Sequence, residues 1–122
     1  FTHTITNLVC TCDGEHYLLQ PEVEENLLRI GQEALMNASK YAEASEIQLR
    51  VRYELTECVL QIKDNGKGFS WSDQNARRAS GEGGFGILGM QERADQIGAD
   101  LSIRTALGQG TTVQVWVKRG TN

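Results

Sequence analysis

Hydrophobic and polar positions divide the chain into a few periodic segments. Thr4 to Cys12 is rich in Thr, Ile and Val and reads as a strand, with Asp13-Gly14 as a turn. Pro21, the one proline, stands where a helix can begin, because its missing N–H is one the first turn does not use. From Glu22 to Tyr41 the apolar residues Val23, Leu27, Ile30, Ala34, Ala38 and Ala42 recur every three or four positions, which predicts an amphipathic helix. The period then drops to two. Ile47, Leu49, Val51 and Tyr53 face one way and Gln48, Arg50 and Arg52 the other. Cys58, Leu60, Ile62 and Asp64 alternate in the same manner with Val59, Gln61 and Lys63. A polar, Gly-rich stretch runs from Asn65 to Gly84. A second helix is predicted from Phe85 to about Gly98, with Gly98 as its stop signal. Two closing strands, Asp100–Thr105 and Thr111–Lys118, flank a turn at Gly108-Gln109-Gly110.

This pattern limits the architecture. Strands buried on both faces read as continuous apolar runs. Here Gln48, Arg50, Arg52, Lys63, Arg104, Gln114 and Lys118 fall on one face. One sheet face is therefore wet and the other packs on helices, which makes an α/β two-layer sandwich rather than a doubly wound sheet. The short gap between strands 46–53 and 58–64 predicts an antiparallel hairpin.

Composition narrows the function. A chain of 122 residues makes one domain on length alone. Twelve Lys and Arg stand against 16 Asp and Glu, a net charge of −4. That balance argues against a partner bound by phosphate neutralisation, so no direct nucleic-acid contact is expected. The apolar runs fall far short of the roughly 20 residues a membrane span needs, and no membrane contact is expected either. No N-terminal stretch has the pattern of a signal peptide. The start at Phe1 rather than Met suggests a piece of a longer protein. Cys10, Cys12 and Cys58 are odd in number and lack paired spacing, which fits a reducing, cytoplasmic setting. With His16 they lack zinc spacing, and they read as small hydrophobes in strands.

Three clusters offer chemistry. Glu33, Asn37 and Lys40 are spaced i, i+4 and i+7 and share one side of the first helix, at the edge of the core rather than at its solvent pole. They form either a solvated face or a carboxylate, amide and amine that serve a metal–phosphate group. Asp64 shares strand parity with Leu60 and Ile62, so its carboxylate points toward the helices. The following Asn65-Gly66-Lys67-Gly68 is either a plain turn or the floor of a pocket in which Asp64 accepts from the amino group of a buried base. Gly83, Gly84, Gly86 and Gly89 lead into a helix whose N-terminus could face phosphate. Residues 84–89 spell G-x-G-x-x-G, but they follow a polar loop and not a strand, so they are no dinucleotide fingerprint. No G-x-x-x-x-G-K-[ST] is present, and His3 and His16 lie far from any nucleophile pattern.

These residues resemble a known family. Glu33-Ala-Leu-Met-Asn37-Ala-Ser-Lys40-Tyr41 is similar to the N box of the GHKL ATPases, the family of gyrase, the heat-shock chaperone, histidine kinases and MutL. Asp64-Asn-Gly66-Lys-Gly68-Phe69 resembles their first glycine box. Gly84-Phe-Gly86-Ile-Leu-Gly89-Met resembles the second, and Gly108-Gln-Gly110-Thr111-Thr112 a third. The run Gly86-Ile-Leu-Gly89-Met90-Gln-Glu92-Arg93 is most similar to sensor histidine kinases that signal to LuxR-type response regulators.

The resemblance implies a Bergerat fold, a mixed and mostly antiparallel sheet covered on one face by helices, with ATP between the layers. By matched position, Asp64 would receive the adenine amino group, Asn37 would hold Mg2+ and Lys40 would reach the phosphates. Glu33 takes the place of the general base or water-orienting carboxylate. Gly66 and Gly68 would border the base, Gly84 and Gly86 would meet the phosphates, and Thr112 would assist Asp64 through a water. Tyr41 stands where this subfamily often has His, and keeps an aromatic wall. Residues 70–83 would form a short, mobile ATP lid. Residues 1–122 would then be the catalytic, ATP-binding domain of a two-component histidine kinase. Its partners would be the dimerisation and phosphoacceptor helices of the parent, which are missing here, and a downstream response regulator. Incomplete alone, the domain would position the γ-phosphate of Mg-ATP for a histidine elsewhere, in a cytoplasmic location that a membrane-anchored parent would also allow. Two alternatives on the same fold are an anti-sigma-factor-type serine kinase and a non-catalytic nucleotide-sensing module.

Overall fold

The chain order in the computed structural model is β1 (Asn7–Gly14), α1 (Pro21–Met36), a π-helical turn (Asn37–Tyr41), β2 (Glu46–Tyr53), β3 (Glu57–Asp64), α2 (Phe85–Gln96), β4 (Asp100–Thr105) and β5 (Thr111–Lys118). The structure describes residues 7–72 and 85–120, without the side chains of residues 40, 41 and 85. The strands form one sheet in the order β1-β2-β3-β5-β4. β1 and β2 are parallel and are joined by the crossover through α1, as parallel neighbours require. The pairs β2–β3, β3–β5 and β4–β5 are antiparallel. The expected hairpin, the mixed sheet and the two-layer sandwich are all present.

The core lies between one sheet face and the helices. Leu27, Ile30, Ala34 and Ala38 descend from α1 and the turn after it, and Met90 and Ala94 from α2, onto Ile47, Leu60, Ile62, Val113 and Val115. Ile30 and Ala94 have no exposed surface. Gly31 brings α1 close to the sheet, because a Cβ there would already lie 3.6 Å from Leu60 Cδ2. At its far end α2 closes as the sequence predicts. Gly98 takes φ 65°, and the N–H of Ala99 donates to the carbonyl of Ala94 at 2.9 Å.

Two details differ from the sequence reading. Asp13-Gly14 is not a turn but the last pair of β1, where Asp13 meets the Arg50 guanidinium at 2.7 Å and Gly14, at φ 88°, crosses the Tyr53 carbonyl. The outer sheet face is not uniformly wet, since Val59, opposite Trp116 and Arg52, is 1% exposed. The cysteines do lie in strands. Cys58 is buried, and burial followed by the nearby Cys12 pushes its thiol pKa up, whereas Cys10 and Cys12 are exposed on the edge strand. No helix among the described residues is long and apolar enough to cross a membrane.

Ile30→Ala is expected to lower the unfolding free energy by about 2–5 kcal/mol, because a wholly enclosed side chain leaves a cavity behind. Urea denaturation reads this as a lower midpoint at unchanged slope. An unchanged midpoint would contradict the packing of α1 on the sheet.

Candidate functional site

The site forms where the C-terminal half of α1 meets three turns. Past Met36 the helix widens to i→i+5 bonding, and the Ala42 N–H reaches the Asn37 carbonyl at 2.8 Å. Such widened turns are frequent at functional sites. Glu33 and Asn37 are half-buried, one helical turn apart, at the border between core and solvent that the sequence assigns them. Lys40 and Tyr41 share the widened turn, and their side chains lie outside the described structure. Glu43 then takes the left-handed region, φ 54°, which reverses the chain and turns the Ala42 carbonyl toward the turn after β3.

Asp64 ends β3 and is 8% exposed, on the face shared with Leu60 and Ile62, as strand parity predicts. Its Oδ1 accepts the Gly66 N–H at 2.8 Å. The chain therefore has to turn at once. A Cβ at Gly66 would lie 2.6 Å from both the Cβ and the carbonyl oxygen of Ala42, so only glycine fits there. The Lys67 N–H donates to that same Ala42 carbonyl at 3.0 Å. Asn65 closes the other side. Its Oδ1 accepts the N–H groups of Ser45 and Glu46 at 3.0 Å each, and its Nδ2 donates to Ser45 Oγ at 2.9 Å.

The β4–β5 turn holds the same segment from the opposite flank. The Gly108 N–H donates to the Lys67 carbonyl at 2.6 Å, and Gly68 at φ 64° rests on the Ala106 carbonyl. The start of α2 arrives from a third direction, and a Cβ at Gly86 would run into the Glu33 carboxylate. Seven residues along each helix, Arg93 Nη1 lies 3.5 Å from Oδ1 of the buried Asn26. The first helix is thus shared by Asp64's turn, through Ala42, and by α2, through Glu33.

Of the residues singled out in the sequence, Gly86 meets Glu33 on α1 with Asn37 one turn on, Gly66 after Asp64 meets Ala42 just past the widened turn, and Gly68 rests on the β4–β5 turn. Gly84 and residues 73–83 of the expected lid lie outside the described residues. Thr112 is a correction. Strand parity puts it on the outer face, between Lys63 and Arg104 in the cross-strand row, while Thr111 is the residue beside Asp64. A one-residue step along a strand reverses the face. Sequence reasoning also passed over Asn65 and Thr105, although the D-N-G turn gave a signal for the first: an amide beside a tight turn readily binds nearby backbone.

The two glycines against α1 are expected to respond differently to substitution. Gly66→Ala meets backbone, so it is expected to destabilise the chain by about 1–3 kcal/mol. Gly86→Ala meets only the end of the Glu33 side chain, which can swing aside, and is expected to fold at close to normal stability. Denaturant midpoints of both variants test this contrast, and equal midpoints would contradict it.

The chain is 36% identical over 108 residues to the signal transduction histidine-protein kinase/phosphatase DegS of Bacillus subtilis (strain 168), across 88% of this chain and 27% of that protein. It is 43% identical over 101 residues to the protein of the same description from Brevibacillus brevis, across 82% and 24%. It therefore spans about a quarter of the length of these relatives. In fold it is similar to the histidine kinase domain of the Erythrobacter litoralis EL346 blue-light activated histidine kinase, with a TM-score of 0.71 at 20% identity over 90% of this chain and 54% of that one. Residues 22–121 match the family described as histidine kinase-, DNA gyrase B-, and HSP90-like ATPase, and the chain belongs to that family.

Proposed function

We propose that the chain is the ATP-binding catalytic domain of a two-component histidine kinase. In this reading it binds Mg-ATP and positions the γ-phosphate for transfer to a histidine on a separate dimerisation domain. The observation that carries the proposal is Asp64. It is a nearly buried carboxylate at the end of a central strand, one oxygen satisfied by its own turn, at the junction of two glycine turns and the helix that bears Glu33 and Asn37. Residues 1–122 act as one unit of a longer protein. Its phosphoacceptor helices and a downstream response regulator complete the pathway in the cytoplasm.

Each role follows from chemistry. Asp64 accepts a hydrogen bond from the adenine amino group, with Gly66 and Gly68 bordering the base. The donor chemistry suits magnesium: Asn37 offers a carbonyl oxygen, a hard neutral donor, on a half-buried helix face. When bound, the metal neutralises phosphate charge. Lys40 would supply a cation, and Gly84 and Gly86 are assigned to the phosphates by their place in the second glycine box. By the resemblance, Tyr41 would supply an aromatic wall, and Glu33 orients or deprotonates the attacking group. The protein's contribution to phosphoryl transfer is then positioning and electrostatics.

Titration calorimetry of the 122-residue chain with ATP tests the reading. Asp64→Asn is expected to weaken binding at least about tenfold, the scale of a hydrogen bond to a charged group. Asn37→Ala is expected to abolish the dependence of binding on Mg2+ while leaving measurable affinity for ATP in chelator. Equal affinity of wild type and Asp64→Asn would mean that the base is held elsewhere. Undiminished Mg2+ dependence in Asn37→Ala would remove that residue from the metal site.

A further inference from the structure

Thr105 is the last residue of β4 and carries none of the roles above. Its hydroxyl nevertheless has three polar partners beside the site. Oγ1 accepts the Phe69 N–H at 3.0 Å, lies 2.9 Å from Thr111 Oγ1 and lies 3.4 Å from the Gly110 carbonyl oxygen. One arrangement satisfies every group. Thr105 accepts from Phe69 N–H and from the Thr111 hydroxyl, and donates its own proton to Gly110.

These contacts extend a row that begins at Asp64. Asp64 pairs with Thr111 across β3–β5, and Thr111 pairs with Thr105 across β5–β4, all on the helix-facing side. The row is joined to the turn at a second point, since Gly108 N–H donates to the Lys67 carbonyl at 2.6 Å. Between these two bonds lies Gly68, pressed on the Ala106 carbonyl at positive φ. Gly110, also at positive φ, lies against the Asp64 carbonyl. The β4–β5 hairpin thus grips the segment after Asp64 on both sides of Gly68. The Phe69 ring leaves this grip stacked edge-on against Trp71 at 5.0 Å, leading toward the segment expected to form the lid.

We propose that Thr105 is a positioning residue for the nucleotide pocket. By holding the Phe69 amide it fixes the backbone of Gly66 to Gly68 against Asp64, and it sets where the segment beyond Phe69 leaves the sheet. The proposal rests on the reading of Asp64 as the adenine acceptor. Thr105 touches no nucleotide and acts through Phe69. A hydroxyl is required here and a β-branched shape alone is not enough. Valine would fill the same space but leave the Phe69 N–H without an acceptor and Thr111 without its partner.

The test compares the wild-type chain with Thr105→Val and Thr105→Ser, well below the unfolding midpoint of each. Two quantities are measured: ATP affinity by calorimetry, and amide hydrogen exchange at Phe69 by NMR. Thr105→Val is expected to bind ATP about three- to tenfold more weakly, the scale of one lost hydrogen bond, and to exchange the Phe69 amide faster. Thr105→Ser is expected to restore both. A purely structural threonine would lower the midpoint of Thr105→Val and leave the affinity of the folded protein and the Phe69 amide unchanged, and that result overturns the proposal. Should Thr105→Val fail to fold, wild type and Thr105→Ser still decide. A Phe69 amide that exchanges at the rate of an unstructured chain in both would show that the bond does not hold. A wild-type chain with no affinity for ATP would overturn the reading of Asp64 and the role of Thr105 together, whereas normal wild-type affinity retained in Thr105→Val would overturn the role of Thr105 alone.

Discussion

A carboxylate turned inward at the end of a central strand needs donors within reach, and in this chain Asp64 finds the first of them two residues on. Accepting the Gly66 N–H forces the backbone to turn immediately after β3. The turn runs against the Ala42 backbone, which leaves no room for a side chain at position 66. Its own polar groups then need partners, and the neighbouring loops supply them. The Ala42 carbonyl takes the Lys67 N–H, the Lys67 carbonyl takes the Gly108 N–H, and the Asn65 side chain takes the amides of Ser45 and Glu46 where β2 begins. Three loops that are irregular one by one satisfy one another, so the accounting of backbone hydrogen bonds closes at the site instead of in water. The geometry around Asp64 follows from that closure.

The helices meet under a second constraint. Glu33 and Asn26 are seven residues apart on α1, and Gly86 and Arg93 are seven apart on α2. Glu33 meets Gly86 and Asn26 meets Arg93, so the helices run antiparallel with two contacts about 10 Å apart along the axis. The missing side chain at Gly86 allows the approach at one end. The long guanidinium of Arg93 spans the gap at the other. The start of α2 is thereby set beside the half of α1 that carries Glu33 and Asn37, which is what a shared pocket edge demands. The buried amide of Asn26 also donates to the Glu22 carbonyl one turn back, so the far contact is itself held from behind.

How much of this the sequence disclosed depended on the range of each interaction. Strands β4 and β5 and the stop at Gly98 were legible because alternation and a glycine with positive φ are local signals. The inward aim of Asp64 was legible for the same reason, since parity with Leu60 and Ile62 is a local count. The hub at Thr105 was not, because its partner Phe69 reaches it only through strand order, and β5 lies between β3 and β4 in the sheet but not in the chain. Thr112 shows a different failure. The motif Gly108-Gln-Gly110-Thr-Thr marks the place, but which of two adjacent threonines faces Asp64 depends on register to the single residue. Val59 misled in the opposite way: its alternation is that of an outward residue, and only the packing around Trp116 and Arg52 encloses it.

Charge distribution bears on how such a site can hold a polyphosphate. On the sheet, Arg50, Arg52, Lys63, Arg104 and Lys118 all share the outer face, the side away from Asp64. They add little at the inner pocket, because fields from exposed charges are screened over roughly 8–10 Å. Glu33 meanwhile presents its carboxylate at the first turn of α2, where a helix N-terminus would otherwise welcome an anion. A bare phosphate 4 Å from that carboxylate would be repelled by about 4 kcal/mol per unit charge at an effective dielectric of 20. That is more than a helix terminus returns, which is at most about 2 kcal/mol. A phosphate seated there therefore needs positive charge carried in with it or held between it and Glu33. Asn37, one turn along from Glu33 on the same helix face, would offer a neutral oxygen to such an ion. On the proposed reading, a phosphate at the start of α2 would therefore have to arrive with its metal, and Glu33 would be the residue that imposes this.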